Sequence, residues 1–255
     1  MFTQLQMDGG IVFAMFLETF FSLHFSISLI DDHFRVRLIR SIQKEPRSMM
    51  EFLPEQFDPW AKNYDNDVKA EAGFPFTGYA DLLQAIHDTA SPKPNQKVLD
   101  LGCGTGNLAA LFSASGCQVW GSDFSSQMIA KAQQKYPDLH FSVADLRDPL
   151  PADFPEKYDR IVSAYVFHHF PIEEKIKQLL SYKNQHLNQG GTIIIGDLMF
   201  TSEEAMQAIA NQYPNTWDDE FYWIIEYDLP LMQQAGLAVQ FQQISFCAGL
   251  IWFEL

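Results

Sequence analysis

Positive charge is scarce in this chain: 17 Lys and Arg stand against 32 Asp and Glu over 255 residues, a formal net charge of -15. Proteins that grip nucleic acid do so with clustered Lys and Arg, so this balance excludes a polyanionic partner and favours a cationic ligand. Cysteine is scarce as well. Cys103, Cys117 and Cys247 have no metal-ligand spacing and would leave an odd thiol if two of them paired. The expectation is therefore reduced cysteines, no metal centre and a cytoplasmic location. A charged start is missing too: no Lys or Arg precedes the apolar run Ile11 to Ile30, so a secretory signal peptide would lack its charged start and is not expected.

That run, IVFAMFLETFFSLHFSISLI, is about long enough to cross a bilayer, and Arg35, Arg37, Arg40, Lys44 and Arg47 follow it as a cytoplasmic flank would. Glu18 and His24 interrupt it. Three readings stand open: an amphipathic helix packed on the domain, a membrane anchor, or upstream translation with Met49 or Met50 as the true start. Residues 1–50 are thus set apart as an N-terminal extension, and membrane contact is expected only through residues 11–30. The remaining domain is expected over residues 51–255.

A hydrophobic content of 47% supplies a sizeable core. From Lys97 onward the pattern alternates as a parallel sheet requires. Strands are expected at Lys97 to Leu101, Gln118 to Ser122, Leu139 to Val143, Tyr158 to Ala164 and Thr192 to Gly196. Helical stretches separate them, at Asn107 to Ser115, Ser125 to Tyr136 and Ile172 to Leu187. Such alternation implies an α/β fold with helices on both faces of the sheet. Leu237 to Ser245 and Cys247 to Phe253 are too close for a helical crossover and should pair as an antiparallel hairpin.

Between the first strand and its helix lies KVLDLGCGTGNLAALF. Gly102, Gly104 and Gly106 allow a sharp turn and a close approach of backbone to a ligand, because a Cβ there would block one or the other. The third glycine comes one residue too early for a dinucleotide fingerprint, and Asp100 sits two residues before the first. A carboxylate there is awkward for a pyrophosphate and suits a ligand with an ammonium group. That favours S-adenosylmethionine (AdoMet) over NAD. Asp123 ends the second expected strand, where it can accept both ribose hydroxyls, and Phe124 and Met128 offer an apolar bed for a purine. Asp145 closes the third expected strand and can accept from an adenine amino group. Each acid alone is also an ordinary cap or turn residue; three at the carboxyl ends of successive strands mark the rim where open α/β sheets bind ligands.

With LDLGCGTGN and GSDFSSQM in place, residues 51–255 resemble a class I AdoMet-dependent methyltransferase. The chain is most similar to the YrrT-type methyltransferases, through FDPWAKNYD, AYVFHHF and the aromatic-rich segment after strand five. The resemblance implies a Rossmann-like, seven-stranded, mostly parallel sheet of order 3-2-1-4-5-7-6 with the last strand antiparallel. It also implies that Tyr64 closes over the methionine end of the cofactor and that Gly102 and Gly104 line it. Asp123 would hold the ribose, Asp145 with Leu146 would flank the adenine, and Ala164 would give a backbone contact near the amino group.

The methyl acceptor, expected to be a small molecule, is less defined. His168 and His169 follow strand four, and either can serve as a general base or simply pack against Phe170 and Pro171. Tyr165 shares their loop, and Asp197 is a second candidate at the end of strand five. From Thr201 to Leu229, Tyr213, Trp217, Phe221, Tyr222, Trp223 and Tyr227 alternate with acids that include Asp218, Asp219, Glu220 and Glu226. Aromatics this dense form either core or an acceptor lid. The alternatives are an NAD-dependent oxidoreductase and an AdoMet-binding regulatory module without turnover.

Overall fold

The computed structural model describes residues 58–70 and 73–255, all within a compact unit that begins at Leu53. The expected extension over 1–50, with its apolar run 11–30, lies outside the described residues. Among those described, no helix is long and apolar enough to cross a membrane.

A short 3-10 helix, Trp60–Lys62, leads into α1 (Tyr64–Ala70), and α2 (Tyr79–Ala90) precedes the sheet. Strands and helices then alternate as β1 (Lys97–Leu101), α3 (Asn107–Ala114), β2 (Gln118–Asp123), α4 (Ser126–Lys135), β3 (His140–Val143), β4 (Tyr158–Ala164), α5 (Ile172–His186) and β5 (Leu187–Phe200). After them come α6 (Glu203–Gln212), the two-residue β6 (Trp223–Ile224), α7 (Ile225–Gln234) and the hairpin of β7 (Gln240–Gln243) with β8 (Ala248–Glu254).

The sheet order is β3-β2-β1-β4-β5-β8-β7, with β6 beside the end of β5. β8 runs antiparallel to both of its neighbours, and the other pairings are parallel. With β6 set aside, this is the expected seven-stranded order. Two-residue periodicity explains the layering. Leu99, Leu101, Ile161, Ile193, Ile195 and Ile251 point into one core with Leu179 and Tyr182 of α5. Their neighbours Val98, Val162, Ile194 and Leu250 point into the other, with Leu82 and Ile86 of α2 and Phe112 of α3. Each such side chain, once buried, contributes about 1.5–3 kcal/mol, so a one-residue slip of any central strand is heavily disfavoured.

Three differences from the sequence expectation bear on the site. β5 does not stop at Gly196: Asp197 and Leu198 pair with Gly249 and Ala248, and Met199 and Phe200 pair with β6. Asp197 therefore lies inside a strand. β3 ends at Val143, so Asp145 stands two residues past it, in a turn closed by the Asp148 N–H on the Asp145 carbonyl at 3.0 Å. The segment expected as an aromatic lid contains a helix, α6, whose N-cap Ser202 accepts from the Ala205 N–H at 3.1 Å. Glu203 and Glu204 in its first turn complement the helix dipole. Three aromatics of that segment join a third core: Tyr213, Trp217 and Tyr222 pack with Phe74, Leu198 and Phe200 at the end of β5, while Trp223 joins the α5 side of the sheet.

Candidate active site

β1 ends at Leu101, and the chain turns through Gly102, Gly104 and Gly106 at φ of +65°, +51° and +84°. A Cβ resists all three values. At Gly102 it would also collide with Val166, just beyond β4. Gly104 differs, because the nearest atom to a Cβ there is Cε1 of Tyr64 at 4.0 Å. Bare backbone at 104 thus faces a gap between the loop and the Tyr64 ring, while Gly106 caps α3.

Two buried carboxylates stand beneath this loop. Asp100, in β1, accepts from the Ala109 N–H in the first turn of α3 through one oxygen. Its Oδ2 is buried with no hydrogen-bond partner among the described residues. Burial, with the charge of Asp123 adding to it, pushes the Asp100 carboxyl up to about 8. It faces a small pocket lined by Tyr64, Tyr79, Gly102, Asn107 and Ala164 among others. Asp123, the last residue of β2, accepts from the Gly104 N–H and the Ser125 N–H at 2.9 Å each. Burial raises it to about 6 against those two bonds. Both carboxylates oppose an anion at the loop and suit a cation.

The segment before the sheet is tied down over the loop. Asp65 accepts from Thr105 Oγ1 at 2.6 Å and from Lys135 Nζ at 2.9 Å, and Lys135 also donates to Asn107 Oδ1 at 2.7 Å. Nearby, Lys131 Nζ donates to the Ala61 carbonyl at 2.6 Å, and Ser125 Oγ donates to Asp58 at 2.6 Å. This is what holds Tyr64 in the pocket wall, with its ring edge-on to Trp60 at 4.9 Å. Sequence reasoning found Tyr64 but missed Asp65, Asn107, Tyr79 and Lys135. Asp65 and Asn107 do sit within or beside the quoted motifs, whereas Lys135 reaches them only through the fold.

The remaining expected residues are more dispersed. Phe124 is half-buried and Met128 buried in the first turn of α4, next to Asp123. Asp145 is held by Arg147, whose Nε lies 2.9 Å from Oδ1 and whose other nitrogen lies 2.5 Å from Oδ2. Leu146 is buried, and its carbonyl accepts from Tyr182 at 2.8 Å. Cys103 packs against β2, where its sulfur would stand 2.9 Å from any Cβ placed on Gly121.

A second polar group lies past β4, outside the pocket lining. His168 and His169 form a 3-10 helix with Phe167. The fully buried Asp197 accepts from the His168 backbone N–H at 2.8 Å, from His168 Nδ1 at 2.5 Å and from Trp223 Nε1 at 2.9 Å. Burial would lower the His168 imidazole, but the Asp197 charge and hydrogen bond outweigh it and leave it above the ordinary histidine value. His169 is lowered by burial and by the His168 charge. Glu220, which sequence reading named only among the lid's acids, reaches both rings, 3.4 Å from His168 Nε2 and 3.1 Å from His169 Nδ1. Tyr165 bridges the two regions. At φ +59° it stacks on Tyr79 at 5.5 Å and stands between that core and the aromatic cluster.

Fold and loop together define an α/β domain whose glycine turn and buried acids stand at the strand ends, the rim where such sheets bind ligands, with acids where a phosphate binder has none. A methyltransferase-domain family model matches residues 98–191. An uncharacterized methyltransferase of Alkaliphilus oremlandii is 40% identical over 162 residues, 61% of this chain and 72% of that protein. One from Bacillus cytotoxicus is 32% identical over 197 residues, 74% of this chain and 91% of that protein. Among solved structures, magnesium protoporphyrin IX methyltransferase from Synechocystis with bound SAH aligns with a TM-score of 0.59 and 18% identity, over 79% of this chain and 98% of its own. The chain belongs to the class I AdoMet-dependent methyltransferases. AdoMet is its cofactor and methyl transfer its activity, which leaves no place for the NAD-dependent or non-catalytic readings.

Proposed function

We propose that this methyltransferase acts on a small-molecule acceptor, in the cytoplasm, and holds AdoMet between the glycine loop and Tyr64, with residues 51–255 as the catalytic domain. The observation that carries the cofactor's placement is Asp100 Oδ2, a buried oxygen without a partner at the wall of the pocket. A buried carboxylate with an unmet acceptor is costly unless a donor arrives, and an ammonium supplies both donor and charge. The residues present therefore fit the group.

Asp123 would hold the ribose with the lone pairs left by Gly104 and Ser125, while Phe124 and Met128 would bed the purine. Asp145 and Leu146 would flank the adenine, with Asp145 sharing its oxygens between the base and Arg147. Gly102, Gly104, Gly106 and Ala164 would bring backbone against the ligand, and Tyr64 would close over it. When bound, the cofactor supplies a methyl activated by a positively charged sulfur. What the chain must add is alignment and exclusion of water, and proximity of this kind is worth about 7–11 kcal/mol in favourable cases.

The acceptor side is supported by Tyr165. A bulky residue in the left-handed region costs about 1–3 kcal/mol, and such strain concentrates at functional sites. Here it sets an aromatic ring between the pocket and the cluster of Phe74, Trp217 and Tyr222. His168 and His169 stand on the same side. An enclosure of that kind accommodates a small molecule, and the acidic chain disfavours a nucleic acid. A turnover screen against pooled thiols, amines and carboxylates tests this: AdoMet consumption in one of the pools is expected, and consumption only with a macromolecule overturns it.

A further inference from the structure

We propose that His168, His169 and Glu220 bind a divalent first-row transition-metal ion, zinc being the simplest occupant, beside the acceptor. The proposal deepens the methyltransferase reading above and rests on it for the word acceptor; the site itself stands on geometry. One ligand atom from each residue lies within 4.8 Å of the others. Glu220 oxygens stand 3.4 Å from His168 Nε2 and 3.1 Å from His169 Nδ1. Nitrogen and oxygen ligands sit about 2.0–2.2 Å from zinc, so two of them at roughly 90–110° around one ion stand about 3.0–3.4 Å apart. Both histidine–carboxylate spacings fall in that range, His168 facing Oε2 and His169 facing Oε1 of Glu220.

The surroundings orient each ligand. Asp197 accepts from Nδ1 of His168 and from its backbone N–H, which fixes the tautomer and leaves the Nε2 lone pair directed at Glu220. A carboxylate behind a ligating histidine is the usual support of a metal site. Asp197 is itself pinned by Trp223 Nε1 and the Leu198 N–H. Glu220 is held from its chain neighbour: Phe221 donates its N–H to the His168 carbonyl at 2.9 Å, and its own carbonyl accepts from Lys175 Nζ at 2.5 Å. The imidazoles stand side by side, with centroids 4.1 Å apart.

The donor set narrows the ion. Two imidazoles and one carboxylate suit zinc, iron(II), cobalt(II) or nickel(II) better than calcium or magnesium, which prefer oxygen. Three protein ligands leave at least one position open, where a hydroxyl or thiol of the acceptor could bind. The carboxylates of Asp197 and Glu220 balance a dication, with the Lys175 ammonium as the nearby opposing charge. Adjacent histidines carry no metal-ligand spacing by themselves, and the third ligand arrives from a segment more than fifty residues away. The sequence therefore gave no metal signal.

Cobalt(II) titration of the chelator-treated full chain tests the site, because imidazole and carboxylate ligands give it visible absorption bands. One equivalent is expected to bind at micromolar concentration or tighter and to be displaced by zinc. Glu220→Gln and His169→Ala should each weaken binding by at least about 100-fold, and Asp197→Asn by about 10–100-fold. AdoMet affinity, measured alongside, should stay unchanged in Glu220→Gln and His169→Ala, which also shows that both variants are folded. Cobalt binding that is absent in the parent, or equal in parent, Glu220→Gln and His169→Ala, overturns the metal site and leaves a charge network. Failure of the parent to bind AdoMet would instead strike the reading of the neighbouring pocket.

Discussion

Lys135 Nζ lies 2.9 Å from Asp65 Oδ2, joining the last turn of α4 to the first turn of α1 across 70 residues of chain. The same ammonium reaches Thr105 Oγ1 at 3.0 Å and Asn107 Oδ1 at 2.7 Å, so one cation collects the glycine loop and the segment that carries Tyr64. A half-exposed pair alone contributes little, but a network that fixes a pocket wall acts on binding.

Replacing that cation by a group of similar length should therefore act on the ligand more than on the fold. Lys135→Met leaves Thr105, Asn107 and Asp65 without their shared donor and loosens Tyr64. AdoMet affinity is expected to fall by about 5–30-fold, the equivalent of roughly 1–2 kcal/mol, with little change in melting temperature. Calorimetry beside a thermal melt checks it; unchanged affinity would show that the strap does not reach the ligand.

Asp100 is expected to make cofactor binding depend on pH. Its carboxyl is raised to about 8 by burial and then by Asp123, so the free protein carries it mostly protonated at pH 7. An ammonium ligand needs the carboxylate, and binding at pH 7 should therefore release close to one proton. Affinity should rise with pH, by at most about tenfold per unit, and level off above about pH 8. For the free protein the sign is opposite: a raised carboxyl costs stability as pH climbs from the unfolded value near 3.8 to about 8. Asp123 adds to that loss up to about pH 6. Calorimetry in buffers of different ionisation heat measures the proton, and Asp100→Asn should abolish its release. Affinity independent of pH between 6 and 8 would remove Asp100 from the site.

The first two glycines of the loop should fail in different ways. Alanine at 102 meets Val166 and a positive φ together, so Gly102→Ala is expected to lose cooperative folding. Alanine at 104 meets only the Tyr64 ring at 4.0 Å, and its cost to the fold is the left-handed backbone, about 1–2 kcal/mol. Gly104→Ala should fold and lose AdoMet affinity by more than tenfold, because its methyl enters the gap facing Tyr64. A folded Gly104→Ala variant with parental affinity would place the cofactor elsewhere.

How much of this was legible depends on distance along the chain. The sheet could be read because Val98 to Leu101, Ile161 to Val162 and Ile193 to Ile195 are buried on both faces and need no partner to declare themselves. The end of β5 could not, since Asp197 reads as a turn acid until Gly249 and His168 are seen to occupy it. Asp123 was legible as an acid at the strand rim. Its bonds to the Gly104 and Ser125 N–H groups were not, and they give it a share in holding the loop. The helix α6 was obscured by its polar, aromatic-flanked sequence, and Glu220 by its place among Asp218, Asp219 and Glu226, acids that look alike until one meets two imidazoles.

The aromatic cluster at the end of β5 gives the last expectation. Trp217 stacks on Phe74 at 5.1 Å and packs on Tyr222 at 4.8 Å, so it connects the segment after α6 to the loop before α2. Aromatic pairs of this kind contribute about 0.5–1.5 kcal/mol beyond the area they bury. Trp217→Ala therefore removes these contacts, and a third with Phe200 at 6.0 Å, at a place that, on the reading above, covers the acceptor and not AdoMet. The KM for the acceptor found in the turnover screen should rise about tenfold or more, while AdoMet affinity stays within about twofold. Hydrogen exchange should quicken over residues 213–222 and stay slow in β1 and β2, because the opening is local. If AdoMet affinity falls as steeply as the acceptor's KM rises, the cluster supports the whole pocket. If neither moves, the aromatics are core and the acceptor enters from another side.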